Sequence, residues 1–286
     1  MGFCTKCGTE IAEQVKFCHK CGNRINEKTF ILEKSKFRKM ITQIRRSFVI
    51  AKKDFRIYYN KGPVVIQGIL FPVILFFAFT IGRSIKPIYM ISGLMAMVLF
   101  LTSTSIGPVV FPWETRQQTL ERLITCPISI KTVLLGSIWG SSLFGVIFSS
   151  VPLILGLIFL SIQPSISLLI VIIGIILTAL SFSSFSLILS VPPTDMPANT
   201  MILTILIKFP LLFISPLFMP INSTPLAVVS PLTYFIDIIN TGLGENSSFG
   251  AYGLLIDFTI LLTFGFVFLF LSFFLHGKTL QKRFRG

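Results

Sequence analysis

Residues 132–194 read TVLLGSIWGSSLFGVIFSSVPLILGLIFLSIQPSISLLIVIIGIILTALSFSSFSLILSVPPT, 63 residues without one charged side chain. A core helix of a soluble domain does not run that far, and roughly 20 apolar residues already cross a bilayer's hydrocarbon. Gln163-Pro164-Ser165 interrupts the run near its middle, so it reads as two spans, 132–160 and 166–191, joined by a tight turn. Composition agrees. The chain is 53% hydrophobic and 13% charged, and the charged share is about half that of a soluble domain.

The same pattern repeats on both sides. Apolar segments of spanning length lie at 63–82 and 88–111 before the run, and at 199–219 and 251–275 after it. The chain is therefore expected to be an all-α polytopic membrane protein with six transmembrane helices over residues 63–286. Segment 220–250 fits no span. It holds Pro220, Pro225 and Pro231 and only acidic charge, Asp237 and Glu245, yet Leu226 to Ile239 is too apolar for a free loop. It is expected to form a short helix pair dipping back from the outer side, which requires packing on protein or lining of water.

Charge sets the orientation. Residues 1–62 hold 15 of the 25 Lys and Arg and five of the 11 Asp and Glu. With the N-terminus inside, the inner segments carry 22 Lys and Arg and the outer ones two, Arg83 and Lys86, while Lys208 lies within a span. Positive charge stays on the cytoplasmic side. The expectation is a multi-pass protein of the cell membrane with both termini cytoplasmic. The basic head suits the anionic leaflet beside it. Nucleic acid would be the other use of such charge, but none is expected, since the first 25 residues lack a basic, aromatic face. The opening residues have no apolar leader-like stretch.

At the head stand Cys4, Cys7, Cys18 and Cys21, two copies of C-x-x-C-G. About 25 residues cannot fold on apolar burial alone. Four thiolates at this spacing suit a closed, tetrahedral, structural Zn²⁺ site, with Gly8 and Gly22 tolerating the positive φ of the knuckles. Disulfides are the alternative use of four cysteines, and a cytoplasmic location disfavours them. Residues 1–25 are thus expected to be a zinc ribbon. It resembles the short zinc-ribbon modules at the N-termini of many prokaryotic membrane proteins. Residues 26–62 form a linker and a helix with Phe37, Met40, Ile41, Ile44, Phe48, Ala51 and Phe55 on one face and Lys and Arg on the other. Such a helix lies in a membrane interface. Packing against a soluble partner is the alternative.

The inner loop 112–131 reads PWETRQQTLERLITCPISIK. Pro112 suits a helix start, and Pro127 stops it. This resembles the coupling loop of the ABC-2 family of transporter permeases, whose usual pattern there is E-x-x-x-G-T-L-E-x-L followed by a proline and a serine. Glu114, Thr119, Leu120, Glu121, Leu123, Pro127 and Ser129 match, and Gln118 stands where the family has glycine. SPLTYFIDIIN before the last span is similar to the family's segment there, and the basic helix before the first span to its elbow helix. The resemblance implies a permease half that pairs with a second half, as homodimer or heterodimer, and with a cytosolic ATP-binding cassette ATPase. Glu114, Thr119, Leu120, Glu121 and Leu123 would dock that ATPase. The chain has no G-x-x-x-x-G-K-[ST] loop, so ATP would act only through the partner. A solvated interfacial helix without docking is the plainer reading of the loop.

Lys208 and Asp257 lie within the fifth and sixth spans. A charge at that depth costs about 2.5–3.5 kcal/mol and has to face protein or water. One reading puts both on a translocation path or a subunit interface, as partners of each other. The other makes Lys208 a paired or snorkelling side chain without a transport role. Catalysis is not expected, because no His, Asp and Glu cluster is visible. A non-transporting zinc-ribbon anchor or sensor is the alternative to a permease.

Overall fold

A computed structural model of the chain describes residues 2–3, 10–11, 18–22, 30–59, 66–82, 84, 86–125, 128–159, 166–192, 196–217 and 225–285. The chain divides into two compact units, Met1–Ile44 and Arg45–Gly286. In the first, β1 (Gly2–Phe3) pairs antiparallel with β2 (Glu10–Ile11). A turn follows at Cys18–Gly22, and α1 (Phe30–Asp54) leads into the second unit.

The second unit is helical among its described residues. A π-helical turn at Ile66–Leu70 runs into α2 (Phe71–Thr80). Then come α3 (Pro87–Ser105), α4 (Gly107–Arg116), α5 (Thr119–Thr125), α6 (Ile130–Phe159) and α7 (Ile166–Leu189). α8 (Pro197–Ile214), α9 (Pro231–Gly242) and α10 (Gly253–Arg285) complete the order. α7 is central and packs on α3, α6, α9 and α10. The core it organises includes Met95, Leu99, Phe100, Val171, Phe182, Leu232 and Phe235. Phe100 meets Phe182 edge to face, with centroids 5.0 Å apart.

Among the described residues, four helices are long and apolar enough to cross a membrane: Pro87–Arg116, Ile130–Ile158, Ser167–Leu189 and Gly253–Thr279. The other two expected spans correspond to shorter helices. One begins at Ile66 and ends with α2, and its lead-in 60–65 lies outside the described residues. The other is α8, which stops at Ile214 because Pro216 forces Ser215 into an extended conformation, ψ 146°.

Segment 225–252 folds onto the bundle. Ser230 caps α9 by accepting from the Leu232 N–H, and Pro231 fills the first turn, where its missing donor costs nothing. Tyr234 donates its hydroxyl to the Val228 carbonyl at 2.7 Å, and Thr233 donates to that of Ala227, fixing the preceding 3₁₀ turn (Pro225–Val229). Asp237 accepts from Ser247 Oγ at 2.6 Å and the Ser248 N–H at 3.0 Å, which closes the loop after α9. Every residue from Pro231 to Asn240 is buried. Of the apolar stretch that looked wrong for a loop, the part from Pro231 on is a packed helix, while Leu226, Val228 and Val229 stand exposed in the 3₁₀ turn.

Candidate functional site

Gly107-Pro108 separates α4 from α3. Pro108 has no N–H to return to the carbonyl of Thr104, four residues back, so the helix bends at Ile106. The sequence suggested that the bridge helix starts at Pro112. The structure starts it at Gly107 and puts Pro112 inside α4. Pro108 is the proline that occupies the first turn, where a helix has no donor to lose.

α4 ends at Arg116 and the chain turns through Gln117 and Gln118 into α5. Gln118 holds φ 55°. A β-carbon makes that left-handed conformation cost about 1–2 kcal/mol. This is the position where the resembling family carries glycine. Gln118→Gly is expected to stabilise the bridge by up to about 1 kcal/mol, the relieved strain less glycine's larger unfolded-state entropy. Thermal unfolding in detergent reads it. A lower Tm would show that the Gln118 side chain, not its backbone, carries the position. Thr119 Oγ1 donates to the Glu114 carbonyl at 3.2 Å and ties α5 back to α4.

The expected docking residues divide into inward and half-buried ones. Leu120 is 7% exposed and sits in a cluster with Ile50, Phe111, Val133, Leu134 and Leu187. Glu114 is 3% exposed. Its Oε1 pairs with Lys53 Nζ at the end of α1, and the same Nζ lies 3.0 Å from Asp54 Oδ1. Thr119 and Leu123 are half-buried, and the Glu121 side chain lies outside the described residues. The outward face of the bridge is formed by Trp113, Arg116, Gln117, Gln118 and Arg122.

Lys53 is therefore the cation for two buried carboxylates. Burial works to lower the Lys53 pKa, but Asp54 and Glu114 outweigh it and hold it above the ordinary value. Burial pushes Asp54 up to about 6 against the attraction of Lys53. Burial, then the charges of Glu114 and Asp54, raise the Tyr58 phenol. The Lys53 and Asp54 partnership was not foreseen. One signal was available: between Glu33 and Glu114 the sole acidic residue is Asp54, set among lysines and arginines.

α1 is pressed against α6 at Gly136, where a β-carbon would stand 2.7 Å from Ile50 Cβ and 2.8 Å from the Ser47 carbonyl. Phe48 stacks on Trp139, centroids 5.3 Å apart. Met40, Ile41, Ile44 and Phe48 are exposed. The clamp on the bridge thus rests on a helix that is itself closely seated.

Lys208 and Asp257 are not brought together. Lys208 Nζ donates to the Thr104 carbonyl at 2.7 Å, the acceptor that Pro108 leaves free, and Ser186 Oγ donates to it as well at 3.3 Å. Asp257 is fully buried beside Asp237. In the head, Cys18 is buried and the Gly22 N–H donates to its carbonyl at 2.9 Å. Gly22 has φ 67°, the left-handed turn expected of a C-x-x-C-G knuckle. Cys4 and Cys7 lie outside the described residues.

A family model described as ABC-2 type transporter matches residues 42–244. One described as zinc-ribbon domain matches residues 3–25. No curated protein matches the chain.

Proposed function

Because the chain belongs to the ABC-2 type transporter family, a family of membrane permeases, we propose that it is a six-span permease half driven by ATP hydrolysed on a separate cytosolic subunit, and that it exports its substrate. The segments at 66–80 and 197–214 would be the first and fifth spans, completed by neighbouring residues. The N- and C-termini would lie in the cytoplasm and a second half, identical or different, would complete the path. Lys208 would line that path. Asp257, enclosed against Asp237, would have a packing role instead.

The observation that carries this reading is the construction of the bridge. α4 and α5 are held from inside by Leu120 in a core cluster and by Glu114 on Lys53. Their opposite face, with Trp113, Gln117 and Arg122, is left exposed. A helix pair fixed on one side and open on the other can pass a push to the spans as a rigid-body movement. Glu114 and Leu120 would serve docking by holding the surface, and Thr119, Glu121 and Leu123 by bordering it. The exposed apolar side of α1 supports its seat in the inner membrane interface. Cys4, Cys7, Cys18 and Cys21 would hold a structural zinc that folds the head and takes no part in transport chemistry.

Co-purification with the ATP-binding subunit tests the docking face. Gln117→Glu, at an exposed position of the bridge, is expected to reduce the ATPase recovered at least tenfold while the permease keeps its Tm. Leu120→Asp is expected to lose the ATPase and to lower the Tm as well, since it puts a charge in the cluster. Undiminished recovery with both variants would count against docking at this bridge.

A further inference from the structure

Lys208 borders a cavity of about 660 Å³. That is within the usual range of small-ligand sites, roughly 300–1,000 Å³. Most of the wall is apolar: Ile66 and Phe71 at the head of α2, Leu101 on α3, Ile205 and Phe209 on α8. Lys208 is the charged residue in the lining. Its ammonium has three N–H donors. One goes to the Thr104 carbonyl, which is a dipole and not a counter-charge. No carboxylate among the described residues forms an ion pair with Lys208. The hydroxyls of Ser105 and Thr204, also in the wall, donate to their own helices at Leu101 and Thr200.

A cation in an apolar wall at membrane depth needs an anion to be stable there. The remaining lining favours a ligand that is otherwise apolar. Ile66 and Ile205, which line the cavity, are both solvent-exposed, so the cavity is open beside α2 and α8, and on the reading of these helices as spans such a ligand can enter sideways from lipid. A free phosphate does not suit the site, because one ammonium in an apolar cavity does not replace its hydration. We infer that this cavity binds an amphiphile with an anionic headgroup, its head on Lys208 and its chain between α2 and α8. The inference rests on reading these helices as spans in the proposed function, but it does not depend on the ATPase.

The test is binding to the purified full-length chain in nanodiscs of zwitterionic phosphatidylcholine, without any ATP-binding subunit. The probes are a pyrene-tailed phosphatidylglycerol and a phosphatidylcholine with the same tail. The phosphatidylglycerol probe is expected to bind at least tenfold more tightly. Lys208→Met removes that preference and Lys208→Arg keeps it. Ile205→Trp, which fills the mouth and leaves Lys208 in place, abolishes binding of both probes and covers the case where Lys208→Met does not fold. Equal binding of the two lipids, a preference that survives Lys208→Met, or displacement by millimolar inorganic phosphate would overturn the inference. Since no ATPase is present, a failure of docking at the bridge leaves this readout untouched.

Discussion

Lys53→Met is expected to destabilise the permease by about 3–5 kcal/mol, the cost of leaving buried charge without its partner. Lys53 serves two acids, and both Asp54 and Glu114 are buried. Without it, two carboxylates face each other in a poorly solvated site, and only protonation relieves them. The deficit therefore depends on pH in a definite direction. Asp54 already sits at about 6 because of burial, and loss of Lys53 moves it further up. A carboxyl with a raised folded pKa favours the fold below its unfolded value and loses that advantage as pH rises through the folded one. Lys53→Met is thus expected to lie well below wild type in Tm at pH 8 and to approach it near pH 5. Glu114→Gln is expected to cost less than Lys53→Met, because Asp54 still holds the lysine. The double variant Lys53→Met/Glu114→Gln recovers part of the loss. Thermal unfolding of the four proteins between pH 5 and 8 decides the matter. An order with Glu114→Gln the worst, or a pH-independent deficit, would mean that α1 and the bridge are held together by something else. Coupling follows the same tie: with α4 released from α1, ATP hydrolysis by the bound subunit is expected to continue while transport falls.

Removing zinc is expected to unfold the head and leave the bundle intact. Structural zinc in small finger modules contributes roughly 10–16 kcal/mol at neutral pH, which for so short a segment is the whole folding energy. The purified chain is expected to carry about one zinc, as a four-thiolate site requires, and Cys4→Ser/Cys18→Ser to carry none. In that variant trypsin is expected to cut within residues 1–25 at least a hundredfold faster, while helicity and the Tm of the spans stay at wild type. Zinc retained by the variant, or Cys–Cys linkages found in the wild-type head by mass spectrometry, would remove the metal from the description.

Some of this was readable in the chain and some was not, for physical reasons. The charge-free run 132–194 holds α6, which ends at Phe159, and α7, which begins at Ile166; the expected turn at Gln163-Pro164-Ser165 lies outside the described residues. Leu120 and Leu123 share a face because helical spacing puts them there, and the structure turns Leu120 inward. Spacing says nothing of depth: Glu114, expected among the docking residues, is buried. Its partner lies 61 positions away, and a pairing at that separation has no local signature. Lys208 looked in the sequence for an acid and found a carbonyl. That acceptor had a trace, Pro108 four residues after Thr104, which only helical geometry makes meaningful. The bend at Ile106 follows from the same proline. The shortness of α8 follows from Pro216, which lies inside the apolar segment and so does not interrupt a hydropathy pattern.

The side of the membrane on which Gln117 lies is the fact to establish next. It is exposed, in the turn between α4 and α5. The chain's fifth cysteine, Cys126, is near this turn in sequence; in a Gln117→Cys/Cys126→Ser chain, a membrane-impermeant maleimide is expected to modify position 117 in inverted vesicles and not in intact cells, with the modified peptide read by mass spectrometry. Bound ATP-binding subunit is expected to protect it. Modification of Gln117→Cys in intact cells would place the bridge outside, where no cytosolic ATPase can grip it.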